Sequence, residues 1–256
     1  EVSVVVIATA HDRHARLVAS SLRAGKHVYC EKPLALTEDE LNDVEAAQRE
    51  SSGVLFVGFN RRWSTPIRLV QEHFAVGSGP LTVTYRVSAG SVAPNHWYHD
   101  RRQGGRLLGE VSHFVDTCSA IIGSGAAAVE AFASGRGEAL LQQDLAVILR
   151  YCDGSVAAIT YSSGGHPRTD KERIEVLGRG RSATIVDFRT LHLDGKPISR
   201  RDFDKGHLAE VRAFGRAIRG EGGDLPDSAI ATTRASLGAA KSILGRPGID
   251  ALSVLS

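Results

Sequence analysis

The sequence predicts an α/β chain: part of a doubly wound parallel sheet, followed by an α+β region whose open sheet is largely antiparallel. Three observations predict it. Strand and helix patterns alternate as far as Phe59, a breaker cluster follows at Gly77-Ser78-Gly79-Pro80, and several strand pairs with hairpin turns come after it.

Each element has a local reason. Residues 2–9 (VSVVVIAT) form a β-branched apolar run, the pattern of a strand buried on both faces in a parallel sheet. Residues 13–24 have helical spacing, with Leu17, Val18 and Leu22 on one side and Gly25 as the stop. A short strand is expected at 26–30. Thr37-Glu38-Asp39-Glu40 is a capping box, in which Thr37 accepts a first-turn amide and Glu40 reaches back, so a helix should run to about Ser52. Residues 54–59 (VLFVGF) read as a third buried strand. Two right-handed crossover units result, half of a Rossmann-type sheet.

After the breaker, residues 81–89 alternate like a half-exposed strand. A polar loop over 90–105 precedes a helix at 106–122. Strands at 145–151 and 155–161 flank Asp153-Gly154, a strong hairpin signal. Strands at 173–177 and 182–188 flank Gly178-Arg179-Gly180, and 191–193 leads into Asp194-Gly195. Helices at 207–219 and 227–244 complete the pattern. Residues 1–76 are read as the C-terminal half of a dinucleotide-binding domain, and 77–256 as an α+β substrate-binding and oligomerisation domain. The last helices are free to pack back on the first domain.

Composition narrows the function classes. The 256 residues are 42% apolar and 23% charged, and 31 basic against 29 acidic side chains give a net charge of +2. Such a balance carries no basic field for nucleic acid. Three cysteines leave one over from any pairing, which points to a reducing, cytoplasmic setting. No apolar run approaches the ~18 residues of a membrane span, and no signal peptide is evident. The chain starts at Glu1 directly on a strand and contains no Met, so a preceding segment is expected.

Chemistry-bearing residues cluster at predicted strand ends, where open α/β sheets bind ligands. Lys32, in Glu31-Lys32-Pro33, can donate to a hydroxyl or carbonyl oxygen; the plain alternative is a surface lysine in a turn with Glu31 solvated beside it. Thr9 to His14 (TAHDRH) presents free amides and a hydroxyl above the sheet. His14 is either a ring-edge contact or an ordinary first-turn residue. Asn60, Arg61 and Arg62 end the third strand, as ligand contacts or as a solvated turn. In the later helix, Glu110, His113 and Asp116 are spaced three apart near one face, so an imidazole with a carboxylate neighbour is available for proton transfer; otherwise His113 is a packed helical histidine.

His96, His99 and Asp100, joined by His113, have the residue types of a zinc site but no thiolate partner. A substrate loop with an aromatic wall is the better reading, and no metal is expected. Lys171-Glu172-Arg173 and Lys205-Gly206-His207 read as solvated charge clusters unless they line a pocket.

The segments IATAHDRH, AGKHVYCEKPLALT, VGFNRRW and GGRLLGEVSHFVD together resemble the Gfo/Idh/MocA oxidoreductases, the glucose–fructose oxidoreductase and inositol dehydrogenase group, over nearly the whole chain. The wording of PNHWYHDRRQGGRLLGEVSHFVD is most similar to a subgroup in which a zinc-dehydrogenase-like module precedes this one. The resemblance implies an NAD- or NADP-dependent enzyme acting on a sugar, cyclitol or related polyol. It implies catalytic roles for Lys32 and His113, with Ala8, Thr9, His14, Glu31, Asn60 and Arg61 around the cofactor. Arg62, Tyr98, His99 and Glu110 are expected as substrate contacts. A homo-oligomer, formed through the sheet of the second domain, is also implied.

Two departures stand out. Many family members carry an acid four residues before the histidine, and here that position is Gly109, with Glu110 one residue later. One residue turns a helical side chain by ~100°. The Gly-rich phosphate loop is expected before residue 1. These departures motivate an alternative, a non-catalytic binding or oligomerisation module with a degenerate pocket. A metal-assisted lyase using the 96–100 loop is a third reading.

Overall fold

The computed structural model describes residues 2–93, 96–134, 144–200, 203–221 and 228–245. Strands β1 (Val4–Ile7), β2 (His27–Cys30) and β3 (Leu55–Val57) form a parallel sheet in that order. Strands β4 (Thr82–Ser88), β5 (Ala128–Ala133), β6 (Leu145–Arg150), β7 (Val156–Ser162), β8 (Glu172–Gly178), β9 (Arg181–Val186), β10 (Thr190–Leu193) and β11 (Lys196–Ile198) form a second sheet. Its order is β11-β10-β9-β8-β4-β7-β6-β5. Every pair in it is antiparallel except β4 with β7. The helices are α1 (His14–Arg23), α2 (Glu38–Glu50), α3 (Thr65–Phe74), α4 (Ser112–Ile122), α5 (His207–Ile218) and α6 (Ser228–Leu244).

Apolar spacing explains the layers. On one face of the first sheet, Val18 and Leu22 of α1 and Leu41 and Val44 of α2 pack with Val28, Cys30 and Val57. Ala213 and Phe214 of α5 pack with Phe56 and Tyr29 on the other face. The second sheet buries alternate residues such as Val83, Ala157 and Val176 against Ile67 and Val70 of α3, Phe114 and Val115 of α4, and Ile243 of α6. α6 joins the two cores, because Leu237 sits in the first and Ala239 in the second. Its Arg234 also pairs with Glu38 and Glu45 of α2.

The capping box forms with one change: Thr37 Oγ1 accepts from the Glu40 amide at 3.2 Å, but Glu40 reaches the Leu36 amide at 2.8 Å. One expectation is corrected, and three elements are added to those expected. Among the described residues β1 is covered on one face, since Ile7 is 3% exposed and Val6, on the opposite face, is 67% exposed. α3 is one of the additions: Pro66 occupies its first turn, where no amide is needed, and Ser64 caps the helix. β5 and β11 were likewise missed, the first behind an alanine run and the second being three residues with a proline.

Candidate functional site

The parallel register places the ends of the first three strands level, with Ile7 beside Cys30 and Cys30 beside Val57. The Glu31 amide donates to the Ile7 carbonyl and the Gly58 amide to the Cys30 carbonyl, both at 2.8 Å, so the following turns leave the sheet together. Ala8 and Thr9 are exposed at the end of β1. Glu31 and Lys32 follow β2, both half-buried, and the Glu31 carboxylate lies against Gly58 so closely that a Cβ there would meet Oε2 at 2.9 Å.

Lys32 reaches away from this sheet. Its Nζ donates to the Gly109 carbonyl at 2.5 Å. Gly109 lies in a π-turn, Leu107–Val111, that leads directly into α4 and His113. Such turns interrupt the α-helical ladder and recur at functional sites. Burial pushes the Lys32 amine below its ordinary value; Glu110 and Glu31 oppose the shift, and Arg61 adds to it. His113 is pushed well below its ordinary value, first by burial and then by Arg61, Lys32, His207 and Lys205. Its Nδ1 is buried with no hydrogen-bond partner, and its ring stands edge-on to Phe59 at 6.0 Å.

Glu110 does not extend into solvent. Its Oε1 accepts from the Tyr98 hydroxyl at 3.0 Å and its Oε2 from the Tyr161 hydroxyl. Arg106 Nη1 donates to the Tyr161 oxygen at 2.8 Å and also to the Gly90 carbonyl. Burial, then Glu110, raises both phenols above their ordinary value.

Beside this group lies His11. Its amide donates to Gln103 Oε1 and its Nδ1 to the Gln103 carbonyl, each at 2.8 Å. A carbonyl only accepts, so Nδ1 carries the proton. Burial brings the ring to about 4, against the raising effect of that hydrogen bond. Trp97, 48% exposed, meets it edge-on at 4.9 Å. The ring also fills the space in front of Gly109, where a Cβ would come within 3.2 Å of His11 Cε1.

Several candidates stand elsewhere than expected. His14 is 0% exposed; its Nδ1 is 2.8 Å from the Pro33 carbonyl and its Nε2 3.1 Å from that of Thr9, so it braces two loops from beneath instead of presenting a ring edge. Arg61 makes a bidentate pair with Glu172 at 2.7 and 3.0 Å and lies over the Phe114 ring. Glu172, read as part of a solvated cluster, is 1% exposed and also receives Lys205 Nζ at 2.5 Å and the Tyr85 hydroxyl at 2.6 Å. Asn60 donates to the Lys205 carbonyl at 2.8 Å. Arg62 binds Asp116 at 2.8 and 2.6 Å and Ser228 at 2.7 Å, so Asp116 pairs with the arginine and not with His113. His99 is exposed, with Nε2 3.2 Å from the Ala93 carbonyl. Asn60, Arg61, Arg62 and His99 are therefore held by protein groups. Lys32, His113, Glu110 and Tyr98 come together.

Sequence reasoning missed His11, Tyr161 and Glu172. One signal was available: His14, Val18 and Leu22 are spaced four apart, which puts His14 on the buried stripe of α1 and leaves His11 to the loop. Among the described residues, no group of three His, Cys, Asp or Glu side chains is placed to hold a metal ion. A cavity of about 520 Å³ lies apart from this cleft, lined by Trp63, Gln71, Ser119 and Ala231 among others.

Residues 1–59 match the sequence model of the Gfo/Idh/MocA group, described as an oxidoreductase family with an NAD-binding Rossmann fold. The chain is 29% identical over 184 residues to a myo-inositol 2-dehydrogenase of Thermotoga maritima, covering 69% of this chain and 54% of that protein. It is 30% identical over 201 residues to an inositol 2-dehydrogenase of Rhizobium meliloti, covering 76% of this chain and 60% of that one. The chain thus spans little more than half the length of these relatives. A levoglucosan dehydrogenase solved with NADH and levoglucosan shares the fold, with a TM-score of 0.79 at 20% identity over 94% of this chain and 77% of that one.

Proposed function

The chain belongs to the Gfo/Idh/MocA oxidoreductase family, and on that premise we propose that it transfers a hydride to or from a secondary alcohol of a sugar, cyclitol or related polyol, with NAD or NADP. The observation that carries this reading is the meeting of Lys32 with the helix of His113 at the carboxyl ends of a parallel sheet. The activities named for the relatives support the substrate class.

The nicotinamide end of a dinucleotide fits this cleft: the exposed turn at Ala8 and Thr9 offers backbone groups, Glu31 stands beside it, and the unpartnered Nδ1 of His113 marks a polar edge. When bound, the nicotinamide supplies the acceptor or donor of the hydride. In the oxidative direction the neutral Lys32 amine accepts the alcohol proton and becomes an ammonium, and in the reductive direction it returns that proton. His113, kept neutral by burial and by its cationic neighbours, orients the reacting oxygen through a single hydrogen bond. Tyr98 and the His11–Trp97 pair wall the substrate side. His14, Asn60 and Arg61 act from below, by fixing the turns.

We also propose the division into residues 1–76 and 77–256, and a homo-oligomer formed through the second sheet. The outward face of that sheet exposes Phe132, Ile148, Val156 and Leu177 among polar side chains such as Thr84 and Thr160, a mixed surface of the kind that subunit contacts cover. Among the described residues no helix is long and apolar enough to cross a membrane. A cytoplasmic location is supported by Cys30, Cys118 and Cys152 all being unpaired.

The test is Lys32→Ala in the full-length protein, assayed for nicotinamide reduction with a panel of inositols and anhydrosugars. A loss of ~100-fold in kcat/KM with coenzyme binding retained is expected. Survival within about tenfold, ~1.4 kcal/mol, overturns the role of Lys32.

A further inference from the structure

Resting on the reading of Lys32 as the proton acceptor, we propose that Glu110 is its positioning residue, a carboxylate held by Tyr98 and Tyr161 one residue beyond the carbonyl that anchors the amine, and that it stabilises the ammonium formed when the alcohol proton arrives.

Three features carry it. First, the Lys32 amine is tethered to the Gly109 carbonyl at 2.5 Å, and Glu110 is the next residue of the same π-turn. Second, Glu110 is held by two hydroxyl donors from different elements, Tyr98 from the loop before the turn and Tyr161 from β7, and Arg106 fixes Tyr161 in turn. A carboxylate so held is oriented before the reaction and needs no rearrangement when charge appears. The phenols satisfy it without neutralising it, because both are donors kept protonated by burial. Third, the position where an acid would precede His113 by four residues is a glycine in a crowded place. Gly109 faces the His11 ring, and a side chain there would begin 3.2 Å from His11 Cε1. Glu110 is the only carboxylate in this segment, 107–113.

The charge balance explains the need. Lys32 is faced by Arg61 from the turn after β3, His113 from α4, His11 from the turn after β1, Glu31 from its own loop and Glu110 from the π-turn. Arg61 is committed to Glu172, and Glu31 rests against Gly58. A new ammonium in this half-buried cleft needs a fixed anion, and in its absence the amine releases its proton at lower pH. The proton balance is simple: the alcohol O–H bond breaks, the N–H bond of Lys32 forms, and Glu110 gains no proton.

The experiment reads Lys32 directly. Full-length wild type, Glu110→Gln and Tyr98→Phe are trace-labelled with acetic anhydride across a pH series, and acetylation of Lys32 is followed by mass spectrometry with Lys26 as internal reference. In Glu110→Gln the half-labelling pH of Lys32 is expected to fall by ~1 unit, and Tyr98→Phe to lower it by less. Thermal melts select the variants that fold, and Tyr98→Phe keeps the ring packing should Glu110→Gln fail to fold. Wild-type Lys32 profiles in the folded variants overturn the proposal. The labelling needs no substrate or coenzyme, so its failure is distinct from an active Lys32→Ala enzyme, which would overturn the function instead.

Discussion

Lys32 Nζ and the Gly109 carbonyl oxygen are 2.5 Å apart, although 77 residues separate them in the chain. One hydrogen bond thereby joins the loop after β2 to the helical segment that carries His113. It makes the turns above the parallel sheet and the start of α4 a single site.

His113 is expected to stay neutral through the physiological range. Burial and the cations around it push its ring well below the ordinary value, so the ring resonances of His113 in labelled protein should not titrate between about pH 8 and pH 6. A midpoint near the model-peptide value of about 6.5 would remove the neutral-donor role.

Arg62→Ala is expected to cost stability, not substrate affinity. Asp116 is 1% exposed, burial raises its carboxyl and Arg62 opposes that rise, so deleting the guanidinium leaves a buried acid unpaired. A loss of ~3 kcal/mol in denaturant unfolding should follow. A variant of wild-type stability with a raised KM would return Arg62 to the substrate.

Glu172 should dominate the acid limb of stability. Burial alone would raise its carboxyl, but Arg61 and Lys205 hold it at about 2. A depressed folded value contributes stability that is present above the unfolded value of about 4.5 and lost as pH falls through about 2. Wild type should lose ~3 kcal/mol across that window. Glu172→Gln should be less stable at neutral pH, with a flatter acid limb, and an unchanged limb would refute the assignment.

Glu210 should act on the alkaline side. It is 2% exposed, receives the Tyr29 hydroxyl at 3.0 Å, and has Oε1 buried without a partner. Burial raises its carboxyl to about 8, with Glu31 and Asp116 adding to the rise and Tyr29 opposing it. A raised folded value contributes stability that is full below the unfolded value and lost as pH rises through about 8. Glu210→Gln, which cannot ionise, is expected to be the more stable protein at about pH 9, by at least ~1 kcal/mol. Equal unfolding midpoints there would show that Glu210 is already ionised at neutral pH.

Much of the architecture was legible in short windows. The Thr37 cap, the apolar runs of the first sheet and the Asp153-Gly154 turn, where Gly154 adopts φ +86°, depend on neighbours within a few residues. Period and turn chemistry are local, so a sequence states them openly. Lys32 was legible for the same reason, because its place just past a strand end follows from the strand itself.

The identity of each partner was not legible. Arg61 and Glu172 are 111 residues apart, Arg62 and Asp116 are 54 apart, and Tyr161 reaches Glu110 across 51. The two arginine pairs exist only because β8 and α4 meet the turn after β3, and the tyrosine pair because the 107–111 turn packs on β7; that packing takes charges such as Glu172 out of water. By itself, the sequence determined which residues sit at strand ends and which stripes face a core. The tertiary structure alone decided which of those residues remain open to a ligand and which are tied to one another. The physical reason is that a buried charge must find a counter-charge, and packing between distant segments chooses it.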